Sequence, residues 1–403
     1  MSVSTAGVQG NEQVTISAVS GDGRYVAFSS YASNLVAGDV NGDIDVFVRD
    51  RRTRITTRIS AVGTADDGRN SGGMSPAISG NGRYVAFTSG APGLVPRDTN
   101  EMTDLFVRDR VAGTTVRANL SSTGVEANAS TYNHTISTDG RYLAFTSTAS
   151  NLVAGDTNGT VDVFVRDRLT RITTRASVSS RGRQGTNHDS ATPAISANGR
   201  YVAFTSAASN LVPGDSNGTS DVFIRDRWAR TTVRISVSNT ERQAAGDTYL
   251  PAISANGRYV AFTSAASNLV PGDSNRVPDV FVRDRRAGTT TRISVSTSGA
   301  EGVTNSAVPV MSASGRYVAF LSSARNLVPD DTNDAWDVVV RDRRMGTTTR
   351  VSRSTTGVQA NTASLAPAIS ADGRYVTFTT GASNLVPSDT NDAFDIFVHG
   401  PIH

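Results

Sequence analysis

Residues 196–206 read Ser-Ala-Asn-Gly-Arg-Tyr-Val-Ala-Phe-Thr-Ser, a tight Asn-Gly turn running into aromatic and β-branched residues. Asn-Gly between strand-forming runs is hairpin chemistry, because the turn needs positive φ and the flanks favour a pleated surface. Pro193-Ala194-Ile195 precedes the turn as a first strand. A long loop then leads to Asp221-Val222-Phe223-Ile224-Arg225, and Thr231-Thr232-Val233-Arg234-Ile235-Ser236 follows as a fourth strand. No segment of the chain keeps a 3.6-residue apolar period, so helices are expected to be negligible.

The same unit recurs seven times. Gly-Arg-Tyr places its tyrosine at Tyr25, Tyr84, Tyr142, Tyr201, Tyr259, Tyr317 and Tyr375, in steps of 59, 58, 59, 58, 58 and 58 residues. A fixed period of this size marks a repeat architecture. Four antiparallel strands repeated seven times predict an all-β, seven-bladed β-propeller occupying residues 1–403 as one domain. An open solenoid would need polar capping units at its ends. Here the ends complement each other instead, since Ser2–Asn11 matches Ser352–Asn361. The chain starts where a fourth strand is ending and stops after the third strand of unit seven, Asp395–Val398. The N-terminal segment is therefore expected to close the ring by joining the last blade, with about five residues of outer strand, the Gly-Thr-Thr-Thr-Arg of 346–350, missing from the circle.

Composition narrows the class. No apolar run reaches the ~18 residues of a membrane span, and residues 1–11 have neither the charged nor the apolar part of a secretion signal. The abrupt start inside a repeat leaves room for a leader that has been removed. There is no cysteine, hence no disulfide framework. All 39 basic residues are arginine, the side chain suited to forked carboxylate pairing. They face 36 acids, giving net +3, and both signs recur in every unit, which argues against nucleic-acid binding.

Ser-Ala-Asp-Gly-Arg-Tyr-Val-Thr-Phe at 370–378, followed by Asp395-Ile396-Phe397-Val398, resembles the repeat of TolB-type propellers, relatives of the WD repeat. The longer string Ala-Ser-Asn-Leu-Val-Pro-Gly-Asp-Ser-Asn-Gly at 208–218 is similar to secreted or envelope-associated actinobacterial propellers of that group. The resemblance covers every unit. It implies the propeller fold and a secreted or envelope location, and it implies no particular reaction.

Several residue sets are candidates for function. Asp-x-Asn-x-x-x-Asp occurs in all seven long loops, and unit one adds an acid to give Asp39, Asn41, Asp43 and Asp45. Alternating oxygen side chains on a tight loop suit calcium; they also fold turns unaided by accepting backbone N–H bonds. Arg-Asp-Arg recurs six times, from Arg49-Asp50-Arg51 to Arg341-Asp342-Arg343, and reads either as an anion-binding ring or as a ladder of ion pairs between blades. One position before the last loop Asp, the bulky Ile44, Trp336 and Phe394 fall on adjacent blades of a closed ring, a candidate patch for a protein or carbohydrate. The blade-to-blade loops hold Glu12, Tyr132, His134, His188, Asp189, Asp247 and Tyr249. Histidine with carboxylates could serve acid–base chemistry at a channel mouth, so His134, His188, Asp189 and Asp247 are the catalytic candidates of a lyase or hydrolase. The leading expectation is a non-catalytic binding scaffold using its long-loop face, with a calcium-stabilised lectin-like module as a third reading.

Overall fold

The computed structural model describes residues 1–60, 72–96, 98–387 and 389–402. Among them are 27 strands and no helix. Each unit forms one antiparallel sheet in chain order. In the fourth, β13 (Ser190–Ile195), β14 (Tyr201–Ser206), β15 (Asp221–Asp226) and β16 (Thr231–Arg234) pair in sequence. Six sheets have four strands, and the seventh has three: β25 (Ser364–Ile369), β26 (Val376–Thr380) and β27 (Asp395–His399). The first strands of the other units are β1 (Val14–Val19), β5 (Met74–Ile78), β9 (Thr131–Ile136), β17 (Thr248–Ile253) and β21 (Ser306–Met311). Each of the seven first strands touches the next, and β25 touches β1, so they enclose a central axis. The chain is a seven-bladed β-propeller.

The core lies between blades. The second and third strands of a blade are buried on both faces, as the Tyr-Val-Ala-Phe and Asp-Val-Phe-Val runs require. Val85 and Phe87 of blade two, for example, pack on Ala27, Val46 and Val48 of blade one. The Phe204 and Phe223 rings pack face to face at a tilt, 5.9 Å apart, within blade four, and the same pair recurs in blades one, two, three, five and seven. Each such buried ring contributes about 1.5–3 kcal/mol by removal from water.

The short-turn end carries the joint between neighbours. Gly199 sits at φ +70°, and a Cβ there would lie 2.2 Å from the Tyr142 ring of the preceding blade. Only glycine permits both the conformation and the approach. Arg227 of the same blade lies over that Tyr142 ring at 4.9 Å and donates to the Gly199 carbonyl at 2.6 Å. All seven Gly-Arg-Tyr turns make the glycine–tyrosine contact. The expected ladder between blades is thus corrected: the Asp of Arg-Asp-Arg pairs within its own blade, Asp226 with Arg200 at 2.6 Å. The first arginine, Arg225, donates instead to the Ser179 carbonyl of the preceding blade. An anion-binding ring has no place here, because each part of the triplet is already engaged.

Deeper at the same end, backbone bonds link turn to turn around the axis. Gly21 donates to Gly80, Gly80 to Thr138, Ala197 to Ala255, Ala255 to Ala313, Ala313 to Ala371, and Asp372 back to Gly21, at 2.8–3.2 Å. The inner turns are therefore bonded to one another around the axis at the short-turn end.

The N-terminal segment closes the ring as the sequence predicts. Ser2 Oγ bonds Asp395 and accepts from the Ile396 amide, the same pair of bonds that Ser177 makes to Asp162 and Val163 in blade three. Gln9 donates to Asp389 at 2.7 Å, and Asn391 to the Gly10 carbonyl at 2.9 Å.

Candidate functional site

The Asp-x-Asn-x-x-x-Asp loops hold an arginine. In blade three, Arg175 at the end of the fourth strand reaches Asp156 at 3.0 Å and Asp162 at 2.8 Å, all three largely buried. The intervening Asn158 donates to Asp162 and to the Gly185 carbonyl, fixing the loop against the next blade-to-blade segment. Arg58, Arg117, Arg234, Arg292 and Arg350 repeat the bridge in their own blades. In unit one, Arg58 sits between Asp39 and Asp45, and Asn41 turns its amide toward Asp45 and its oxygen toward the Asp43 N–H. That donor set does not fit a calcium ion, since a guanidinium already takes the space between its carboxylates. Among the described residues no cluster of three metal-ligating side chains occurs. Burial, and then the neighbouring Asp279 charge, push the Asp273 carboxyl up to about 6 despite Arg292.

Ile44, Trp336 and Phe394 do not make a common exposed patch. Ile44 is only 8% exposed, and Trp336 is half-buried against the core between blades six and seven. Phe394 remains 39% exposed beside Gly381 of its own blade. The position has a structural task that the sequence pattern conceals. Its carbonyl accepts the first amide of the next blade: the Val14 amide donates to the Phe394 carbonyl and the Ser364 amide to that of Trp336.

The catalytic candidates are not assembled. Asp189 accepts the Val161 amide at 2.9 Å and Asp247 the Ser220 amide at 3.0 Å, so both serve blade junctions. His188 is exposed with no hydrogen-bond partner among the described residues. His134 lies on β9, where burial lowers its pKa and its Nε2 has no partner. Glu12 is exposed on the loop before β1.

Tyr132 and Tyr249 share an equivalent strand position with residues that sequence reasoning missed. Every first strand carries a bulge near its long-loop end. At the equivalent position stand Thr15 and Tyr132 inside the bulge and Met74, Ala191, Tyr249, Ala307 and Leu365 immediately before it, one per blade at the long-loop end of the first strands. Tyr132, Met74 and Leu365 are 52%, 42% and 36% exposed. The next residue is forced to positive φ at Ser75, Thr192, Leu250, Val308 and Ala366. For β-branched Thr192 and Val308 this is a strained conformation, costing about 1–3 kcal/mol. Bulges of this kind re-aim side chains at sheet ends. On the opposite face Trp228 is 61% exposed with Arg200 over its ring, and the same turn carries exposed Val111, Leu169 and Met345 in other blades.

No protein family matches the sequence, and no curated protein does. Solved structures match over nearly the whole chain. The fold is similar to the β-propeller domain of the Trilobed protease from Pyrococcus furiosus, which has an open velcro topology (TM-score 0.58, 9% identity, 96% of this chain and 95% of that one). It is similar to an oligogalacturonate lyase from Vibrio parahaemolyticus (TM-score 0.56, 11% identity, 97% and 90%). A looser likeness extends to TolB from Acinetobacter baumannii (TM-score 0.44, 14% identity, 93% and 75%). At these identities the likeness is one of fold.

Proposed function

We propose that this propeller is a non-catalytic binding scaffold, secreted or held at the cell envelope, that takes a protein or glycan at the long-loop end of its channel. The observation carrying this reading is the bulge ring. Met74, Tyr132, Tyr249 and Leu365 offer apolar and aromatic surface at the long-loop end of the first strands, whose far ends are joined turn to turn. Aromatic and Met side chains of this kind anchor partners and stack on sugars. The carboxylates that could have served acid–base work hold backbone amides instead. Titration calorimetry against a panel of neutral and acidic oligosaccharides and extended peptides tests it, with Tyr132→Ala and Tyr249→Ala expected to weaken any binder found at least about tenfold. Full affinity in both variants would end the assignment.

The second reading, a lyase or hydrolase, draws on the fold shared with oligogalacturonate lyase. Incubation with oligogalacturonate and release of an unsaturated, ultraviolet-absorbing product would establish it. His188→Ala and Asp247→Asn would then have to abolish that turnover.

A further inference from the structure

The Arg-Asp-Arg triplets are engaged, but the residue that follows each of them is not. In blades one to six it is Arg52, Val111, Leu169, Trp228, Arg286 and Arg344. In every case its amide donates to the triplet aspartate at 2.9–3.0 Å. That aspartate is itself held by the Gly-Arg-Tyr arginine of its own blade. One backbone geometry therefore presents all six side chains at equivalent places around the short-turn rim, close to a single plane. All six are exposed. Val111, Leu169 and Trp228 form an apolar arc on three consecutive blades, 76%, 74% and 61% exposed. Val116, Ile172 and Val233 add exposed apolar surface on the outer strands of the same blades, where blades five and six have threonine.

The same end of the molecule is cationic. Gly-Arg-Tyr and Arg-Asp-Arg bring three arginines per blade against the one triplet aspartate, and these turns add Asp22 in blade one and Asp139 in blade three. At the other end, each Asp-x-Asn-x-x-x-Asp loop sets two acids against one arginine. The near balance of 39 arginines and 36 acids thus conceals two poles. No carboxylate pairs with Arg52, Arg286 or Arg344 among the described residues. Blades one, three and four add Arg54, Arg171 and Arg230, exposed and held at φ 57–59°, where blades two, five and six place Gly113, Gly288 and Gly346. An arginine kept in a left-handed position that glycine fills in sister blades carries a conformational cost, which points to a use for its charge. Beside Trp228, a recess of about 380 Å³ is lined by Arg175, Arg225, Arg227 and Arg230 against the single carboxylate Asp167.

We propose that the short-turn face docks on an anionic lipid bilayer, with Val111, Leu169 and Trp228 entering the edge of the acyl region while Arg52, Arg286 and Arg344 meet lipid phosphates. The combination of features selects this partner. A soluble polyanion would take the arginines and leave the apolar arc in water. An apolar protein surface would bury the arginines without counter-charge, which is costly. An anionic bilayer is flat, accepts tryptophan and aliphatic tips at its interface, and attracts guanidinium groups. Docking in this way leaves the long-loop end facing away from the membrane, and it uses none of the residues invoked there for ligand binding.

Sedimentation of the whole protein with vesicles tests the proposal. Binding is expected to equimolar phosphatidylcholine–phosphatidylglycerol vesicles and not to phosphatidylcholine alone, and it should weaken as salt is added. Brominated acyl chains should quench Trp228, an effect lost in Trp228→Phe. Trp228→Ser combined with Leu169→Ser should lower partitioning about tenfold or more. Arg286→Gln and Arg344→Gln should each lower it about fivefold. Blades one, five and six carry arginine at this position, so polar replacements suit the turn and the melting temperature should hold. Failure to bind the mixed vesicles would overturn the proposal, as would equal partitioning into phosphatidylcholine alone. So would mixed-vesicle binding untouched by the paired serine changes but abolished by soluble polyphosphate, because the face would then be a polyanion site.

Discussion

Gly199→Ala isolates the joint on which the ring depends. Alanine at φ +70° costs about 1 kcal/mol in backbone strain. Its Cβ would also stand 2.2 Å from Tyr142 Cδ2. That ring cannot swing aside, because Arg141 and Arg227 lie over it at 4.8 and 4.9 Å. Overpacking of this kind adds about 1–3 kcal/mol, for a total near 2–4 kcal/mol. Gly218→Ala is the control, since Gly218 has φ +68° and open space around its Cβ, and strain alone should cost it about 1 kcal/mol. Urea unfolding followed by tryptophan fluorescence reads both losses as shifts in midpoint at constant slope. In a Tyr142→Ala background the excess cost at Gly199 should vanish. Equal losses for Gly199→Ala and Gly218→Ala in the parent protein would refute the steric joint.

Arg175→Leu should destabilise by about 3 kcal/mol in the same urea assay, because it leaves Asp156 and Asp162 buried without their counter-charge. A chelator should leave the melting temperature unchanged, since Arg58 occupies the space between Asp39 and Asp45; a fall of more than about 2 °C would show a bound cation acting on the folded state. The bonds from Arg83 and Arg258 hold Asp109 and Asp284 at about 2 against an ordinary 3.8, so their stabilisation is present above pH 4 and is lost as pH falls toward 2. Arg258→Leu should flatten that acid slope in melting temperature. Asp273 runs the other way: its carboxyl, raised to about 6, lowers stability as pH rises from 4 to 6, and Asp273→Asn should remove that decline.

The fold was legible because the repeat prints its turn chemistry seven times and the termini complement each other. Ser2 and Gln9 landed where the alignment with Ser352 and Gln359 placed them. The motifs were legible as motifs and not as partners. Asp39 and Asp45 read as a cation loop because their arginine lies 13 residues beyond Asp45, at the end of the neighbouring outer strand, and spacing alone gives no sign of that reach. Ile44 and Trp336 read as exposed because a large apolar residue in a loop resembles a patch, whereas here Ile44 is buried and Trp336, whose carbonyl accepts the Ser364 amide at the blade junction, packs half-buried against the core. Tyr132 and Tyr249 were found by their departure from the repeat. Met74 and Leu365 escaped because a bulge, invisible to a period-two reading, sets which residue faces the channel mouth.

The glycine–tyrosine contact, made identically at every junction, gives the ring no privileged beginning. The polypeptide could be opened between any two blades and its present ends spliced, provided that the new break also leaves a fourth strand behind its third. Blade order is set by covalent connection alone, and interface identity makes neighbouring units exchangeable. A chain built in this way can therefore diversify one blade at a time, altering its long-loop rim while every seam continues to fit.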